Sequence, residues 1–252
     1  MFAYAYGLTN IGQMRELNED SFKICGFENG KPLGVCVLAD GMGGHNAGEI
    51  ASQTAVEIIS DGLASDFDEE DKDALAQSMA ATLDMANSEI YNMSLHNREQ
   101  AGMGTTTVLA FVKDDFVRIA NIGDSRAYLI TDKKIKKITT DHSIVEELVK
   151  SGSITREEAR NHPDKNIITR AVGTENFVDA DFFDYKASPD DVILLCSDGL
   201  YEMIEDKEIK RIVNNSENLN EAVNVLVDAA NKNGGYDNIT VVALQFKEDE
   251  NI

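Results

Sequence analysis

Across 252 residues the chain sets 45 Asp and Glu against 23 Lys and Arg, a net charge of −22 with His neutral. That balance excludes nucleic acid and anionic lipid as partners, because both select stripes of Lys and Arg. With 42% hydrophobic and 27% charged residues the composition is that of a soluble folded protein, not a disordered one.

No apolar run reaches the roughly 18 residues that a membrane-spanning helix needs. Residues 1–7 lack the basic and apolar regions of a secretory signal. Cys25, Cys36 and Cys196 are odd in number and widely spaced, and each lies in or beside an apolar stretch. They read as reduced, mostly buried thiols of a cytoplasmic protein, not as a disulfide frame or a zinc site.

In chain order, residues 2–9 alternate as a strand does, and residues 33–39 form a near-continuous apolar run, the pattern of a buried strand. A helix is expected over residues 47–63, with Ile50, Ala51, Ala55, Ile58 and Ile59 on one face. A longer one is expected over residues 72–97, where Leu75, Met79, Leu83, Ala86, Ile90 and Met93 recur at steps of three or four. A meander follows, with strands over 105–112, 116–122, 126–130 and 135–139. Residues 142–173 change character and read as an excursion from the core. Strands return at 177–185 and 191–196, a helix at 219–231 and a last strand at 239–246. Helices cluster between groups of strands, so the expected class is α+β with mainly antiparallel sheets. No linker or repeat interrupts the chain, and one domain is expected over residues 1–246, with 247–252 as a tail.

The chemistry lies where apolar strands end in carboxylates. Leu38-Ala39 runs into Asp40-Gly41, Asn121-Ile122-Gly123 into Asp124 and Leu195-Cys196-Ser197 into Asp198-Gly199, while Asp237-Asn238 precedes the last strand. Asp-Gly is also a common tight-turn dipeptide. Several Asp at one rim, however, would repel one another unless a divalent cation lay between them. All-oxygen ligation suits Mg²⁺ or Mn²⁺. The Arg15-Glu16-Leu17-Asn18-Glu19-Asp20-Ser21 segment reads either as a solvated charged turn or as a site for both a cation and a phosphate. Residues 102–107 read as a turn feeding a strand. Asp40-Gly41-Met42-Gly43-Gly44-His45 lacks the spacing of a P-loop or a dinucleotide fingerprint. Among the histidines, His45 is the one that stands beside a candidate metal carboxylate. His96 reads as a surface residue and His162 as a loop residue, and Asp141-His142-Ser143 reads as the cap of the next helix. No Ser or Cys sits in a nucleophile-elbow context.

Together these segments resemble the metal-dependent protein Ser/Thr phosphatases of the phosphatase 2C type, most closely their short bacterial members. The resemblance is carried by Asn10-Ile11-Gly12, Arg15, Asn18-Glu19-Asp20-Ser21, Ala39-Asp40-Gly41-Met42-Gly43-Gly44-His45 and Gly104-Thr105-Thr106. It continues through Gly123-Asp124-Ser125-Arg126-Ala127-Tyr128, Thr140-Asp141-His142-Ser143 and Ile168-Thr169-Arg170-Ala171-Val172-Gly173. Ser197-Asp198-Gly199-Leu200 and Asp237-Asn238-Ile239-Thr240 complete the series.

The resemblance implies two stacked antiparallel sheets flanked by helices, with a metal centre at one end of the sandwich. By position it makes Asp40 the carboxylate bridging two Mg²⁺ or Mn²⁺ ions, assisted by the Gly41 carbonyl. Asp198 and Asp237 become ligands of the first ion, and Glu19 and Asp20 partners of the second through water. Asp124, with Asp198, matches a third ion position, and Arg15 matches the phosphate-binding arginine. Residues 142–173 correspond to the flap bordering the substrate groove. The implied reaction is hydrolysis of phosphoserine and phosphothreonine by direct in-line attack of a metal-activated water, without a phosphoenzyme. The implied partners are phosphorylated proteins, among them bacterial Ser/Thr kinases and their substrates, and a monomer is expected. Met42 departs from the family pattern: many eukaryotic members carry a His there as proposed general acid, which leaves His45 or a metal-bound water for that role.

Three alternatives are weaker. An inactive adaptor would have lost carboxylates that this chain retains. A phosphatase acting on a sigma-factor regulator would usually carry a sensory module. A calcium-binding protein would need an EF-hand loop, and the chain has none. The large negative charge reads as a solvated surface or, more sharply, as selection against acidic phosphopeptides.

Overall fold

The computed structural model describes residues 1–43, 47–64 and 71–248. Its strands are β1 (Phe2–Asn10), β2 (Asp20–Gly26), β3 (Leu33–Met42), β4 (Gly104–Thr105), β5 (Thr107–Lys113) and β6 (Phe116–Ile122). They continue with β7 (Arg126–Ile130), β8 (Ile135–Lys137), β9 (Asp181–Lys186), β10 (Val192–Cys196) and β11 (Ile239–Lys247). The helices are α1 (Ala47–Ala64), α2 (Lys72–His96), α3 (Ile144–Lys150), α4 (Arg156–Arg160), α5 (Asp198–Tyr201), α6 (Asp206–Asn215) and α7 (Leu219–Lys232).

Two sheets form, in the orders β1-β11-β10-β7-β8 and β2-β3-β5-β6-β9, with β4 added to the end of β3. All pairings between these strands are antiparallel. The expected α+β class with two antiparallel sheets therefore stands. Three apolar layers hold it together. Leu38, Val108, Ile119, Leu195 and Phe246 fill the space between the sheets. The 3.6-residue stripes of α1 and α2 place Ile59, Leu63, Met79 and Ile90 on the outer face of one sheet. Leu219, Val223 and Leu226 of α7 cover the other. Each such fully buried aliphatic side chain contributes about 1.5–3 kcal/mol.

Several expected boundaries move, each for a local reason. The strand expected to end at residue 39 continues through Asp40 and Gly41 to Met42, because Gly41 and Met42 pair with Thr105 and Gly104 of β4. Asp40-Gly41 is thus part of a ladder, not a tight turn. The strand expected over 105–112 breaks at Thr106, whose N–H donates to the Asp40 carbonyl at 2.9 Å and whose Oγ1 accepts the Asp40 N–H at 3.0 Å. The strand expected from 177 starts at Asp181, and Phe177 is exposed. The strand expected over 135–139 stops at Lys137. Within residues 142–173, Ser143 caps α3, with Oγ accepting the Glu146 N–H, and Thr155 and Glu158 form a capping box on α4. It is Ser143 that caps; Asp141 takes a bidentate pair from Arg126.

The antiparallel connectivity has one consequence for function. The C-terminal ends of β1, β3, β6 and β10 and the N-terminal ends of β2, β7 and β11 share one rim of the sandwich. Chain segments far apart in sequence deliver their polar residues there.

Candidate metal and phosphate site

Each carboxylate expected from the sequence lies on that rim. Asp20 opens β2 directly opposite Asp40 of β3. Asp124 lies in the turn between β6 and β7, Asp198 is the first residue of α5, and Asp237 precedes β11. Arg15 and Glu19 lie in the loop between β1 and β2.

Their electrostatics show that they share one field. Burial, and then the charges of Asp20, Asp198, Asp124 and Asp237, hold the Asp40 carboxyl well above the ordinary range. Asp198 is raised in the same way by burial and by Asp124, Asp237 and Asp20. Asp20 is pushed up to about 6 by burial, against hydrogen bonds that favour its charge. Asp124 also rises to about 6, chiefly through burial and then Asp141, with Arg126 opposing. Burial likewise raises Glu19, against the pull of Arg15 and the Gly48 N–H.

The backbone around the cluster is tightly fixed. Thr105 Oγ1 donates to the Asp40 carbonyl at 2.9 Å, and Thr106 Oγ1 pairs with Ser125 Oγ at 2.8 Å. The Gly41 N–H donates to the Glu19 carbonyl at 3.1 Å. A Cβ on Gly41 would lie 2.1 Å from the Gly48 carbonyl oxygen and 2.5 Å from that of Glu19, so only glycine fits. Asp20 Oδ2 accepts from Ser197 Oγ at 2.8 Å and from Thr240 Oγ1 at 2.6 Å. Arg15 donates to Asp237 Oδ2 at 2.7 Å with a half-exposed guanidinium. Burial opposes its charge, but Asp237, Glu19 and Asp198 outweigh that and raise its pKa.

The donor set fits hard divalent cations. It consists of carboxylate oxygens that raise one another, and Asp20 Oδ1 is buried with no hydrogen-bond partner. A cation relieves both the repulsion and the unpartnered oxygen. Among the described residues no three His, Cys, Asp or Glu side chains close on a single point. All-oxygen donors of this kind are the chemistry that Mg²⁺ or Mn²⁺ takes, with waters completing the coordination. His45 lies outside the described residues. Met42 follows Gly41 in β3 and carries no transferable proton. His142 is buried and structural: its Nδ1 accepts the Gly123 N–H at 3.0 Å, and its Nε2 faces Asp181.

Sequence reasoning passed over three supports. Asn238 is 4% exposed; its Nδ2 donates to the Ile11 and Leu17 carbonyls at 2.9 Å, and its Oδ1 accepts the Glu19 N–H at 2.8 Å. It thereby fixes the loop that carries Arg15. Tyr201 donates to Asp124 Oδ2 at 3.4 Å, and the Arg126 guanidinium stacks 3.4 Å from the centre of its ring. Tyr201 is three residues beyond Asp198, so one turn of α5 sets both groups; a helix there would have been the only signal.

A family model described as Protein phosphatase 2C matches residues 12–241. The chain is 39% identical over 237 residues to the serine/threonine phosphatase stp of Listeria monocytogenes, covering 94% of this chain and 93% of that one. It superposes on the serine/threonine phosphatase of S. agalactiae with a TM-score of 0.90 and 34% identity, covering 98% and 100% of the two chains. It also superposes on the catalytic domain of the serine threonine protein phosphatase PstP in complex with two manganese ions, with a TM-score of 0.84 and 33% identity over 98% and 99%. The chain belongs to the protein phosphatase 2C family.

Proposed function

We propose that this protein is a metal-dependent protein phosphatase that hydrolyses phosphoserine and phosphothreonine in phosphoproteins, including those made by bacterial Ser/Thr kinases. The observation that carries this reading is the single field joining Asp40, Asp198, Asp124, Asp20 and Asp237 beside a half-exposed Arg15. Asp40, the Gly41 carbonyl, Asp198, Asp237, Glu19 and Asp20 would hold two Mg²⁺ or Mn²⁺ ions, and Asp124 with Asp198 a third. Bound there, such ions supply an activated water and neutralise the phosphate oxygens.

The remaining roles belong to the chain. One amino group of Arg15 is engaged by Asp237, which leaves the rest of its planar fork for phosphate oxygens. The nearby hydroxyls are committed: Ser197 and Thr240 donate to Asp20, and Ser125 pairs with Thr106. Burial raises the Cys196 thiol, which keeps it protonated and inert. With these hydroxyls and the thiol committed, the reading takes water as the group that attacks phosphorus in line with the leaving hydroxyl, and residues 1–246 as one catalytic domain. Among the described residues no helix is long and apolar enough to cross a membrane, in keeping with action on cytoplasmic phosphoproteins.

The test is release of inorganic phosphate from a phosphothreonine peptide with Mn²⁺, with Mg²⁺ and with EDTA. Release with either metal and none with EDTA is expected. No release with any metal from folded protein would return the adaptor reading.

A further inference from the structure

Asp40 and Met42 are two residues apart in β3 and so stand on the same face of the strand, about 7 Å along it. Beyond Met42 lies a hollow of about 420 Å³, lined in part by residues 168–171 at the end of the expected flap. Its apolar wall is made by Met42, Ile168, Ala171, Phe177 and Val178. Phe177 is 62% exposed, an uncovered aromatic face at the edge of the hollow. The Met42 and Thr174 side chains of its lining pack over Gly104, where an added Cβ would meet Thr174 Cγ2 at 2.6 Å and Met42 Cε at 3.0 Å.

The charges at the hollow select against an acidic occupant. Arg170 is the one Lys or Arg among the described residues of the lining, and it donates to Asp181 Oδ1 at 3.0 Å and to the Asp179 carbonyl at 3.3 Å. Glu175 and Asp179 also line the hollow. An incoming carboxylate would meet the like charges of Glu175 and Asp179, with Asp181 already offsetting Arg170 through its Nη1, whereas an apolar side chain covers Phe177 and Met42.

We propose that this hollow holds the side chain of an aliphatic or aromatic residue one or two positions from the phosphorylated residue of the substrate. The inference rests on the phosphatase reading. An extended peptide rises about 3.3 Å per residue, so a residue one or two positions from a phosphate held at Asp40 and Arg15 reaches Met42.

The test compares kcat/KM for phosphothreonine peptides that carry Leu, Phe, Gly, Lys or Asp at each of the two positions on either side. Wild type and Phe177→Ala are assayed with Mn²⁺, and p-nitrophenyl phosphate serves as a substrate with no flanking residues. Leu or Phe at one position is expected to exceed Gly by about tenfold, with Asp lowest. In Phe177→Ala that preference should shrink to about twofold while p-nitrophenyl phosphate hydrolysis is unchanged, which also shows that the variant folds. A flat panel, a preference for Lys or Asp, or an apolar preference that survives Phe177→Ala overturns the proposal. Wild-type protein that hydrolyses neither the peptides nor p-nitrophenyl phosphate removes the phosphatase reading, and the proposal with it.

Discussion

Asp20 and Asp40 face each other across the β2–β3 ladder, two acids at a register position where like charges destabilise a sheet. Asp20 is raised to about 6 and Asp40 further, with Asp124 and Asp198 raised beside them. At these four carboxylates the folded, metal-free protein therefore holds more protons than the unfolded chain. The stability these groups contribute is complete below the ordinary carboxylate pKa and is lost as pH climbs through about 6 and beyond. The Tm of EDTA-treated protein is expected to fall by several degrees between about pH 5 and pH 8. Added Mn²⁺ should restore it at the upper pH and act far less at the lower. A Tm that rises over that interval contradicts the shared field.

Asn238 satisfies three backbone groups of the loop that carries Arg15 and Glu19. Asn238→Ala removes the buried amide that pairs them, at an expected cost of about 1–3 kcal/mol in urea unfolding. Phosphatase activity should fall with the loop's placement. A variant as stable as wild type would show that the loop is held elsewhere.

Arg15 should separate binding from stability. Its pair with Asp237 is 47% and 33% exposed, so Arg15→Ala should change stability by less than about 1 kcal/mol. Removing its phosphate contacts should lower kcat/KM about a hundredfold. Arg15→Lys should recover little, because an ammonium cannot present a bidentate fork. Steady-state kinetics on a phosphothreonine peptide checks both variants.

Gly41 tests the packing that places Asp40. Gly41→Ala drives a Cβ into the Gly48 and Glu19 carbonyl oxygens, and neither backbone can withdraw without moving α1 or the Arg15 loop. A loss of about 3 kcal/mol or more is expected, read as a lower Tm or failure to recover folded protein.

Most of the sandwich was legible because its periodicities are strong. The stripe from Leu75 to Met93 and the apolar run from Leu33 to Ala39 each sit on a buried face that tertiary packing reinforces. What was not legible depends on contacts between distant residues. In α6 only Ile209 and Ile212 are buried, so its charged residues hide the helical stripe. Phe177 looked like strand material because it is aromatic, yet it points to solvent ahead of β9. The extension of β3 to Met42 requires β4, sixty residues later, which no local pattern announces. In the site, Asp40, Asp124 and Asp198 stood out as acids ending apolar strands. The pairing of Arg15 with Asp237 and the threefold role of Asn238 close separations of more than 200 residues, and they emerge only when β1 and β11 pair.

The claim that one carboxylate cluster is a divalent-cation centre is tested most directly by calorimetric titration of Mn²⁺ into metal-free wild type, Asp40→Asn and Asp198→Asn. Wild type should bind. Each variant should keep a metal-free Tm equal to or above that of wild type, because a repelling buried charge is gone. Its Mn²⁺ affinity should drop by at least about tenfold, and the thermal stabilisation by the ion should disappear. Folded variants that bind Mn²⁺ as tightly as wild type would contradict the account.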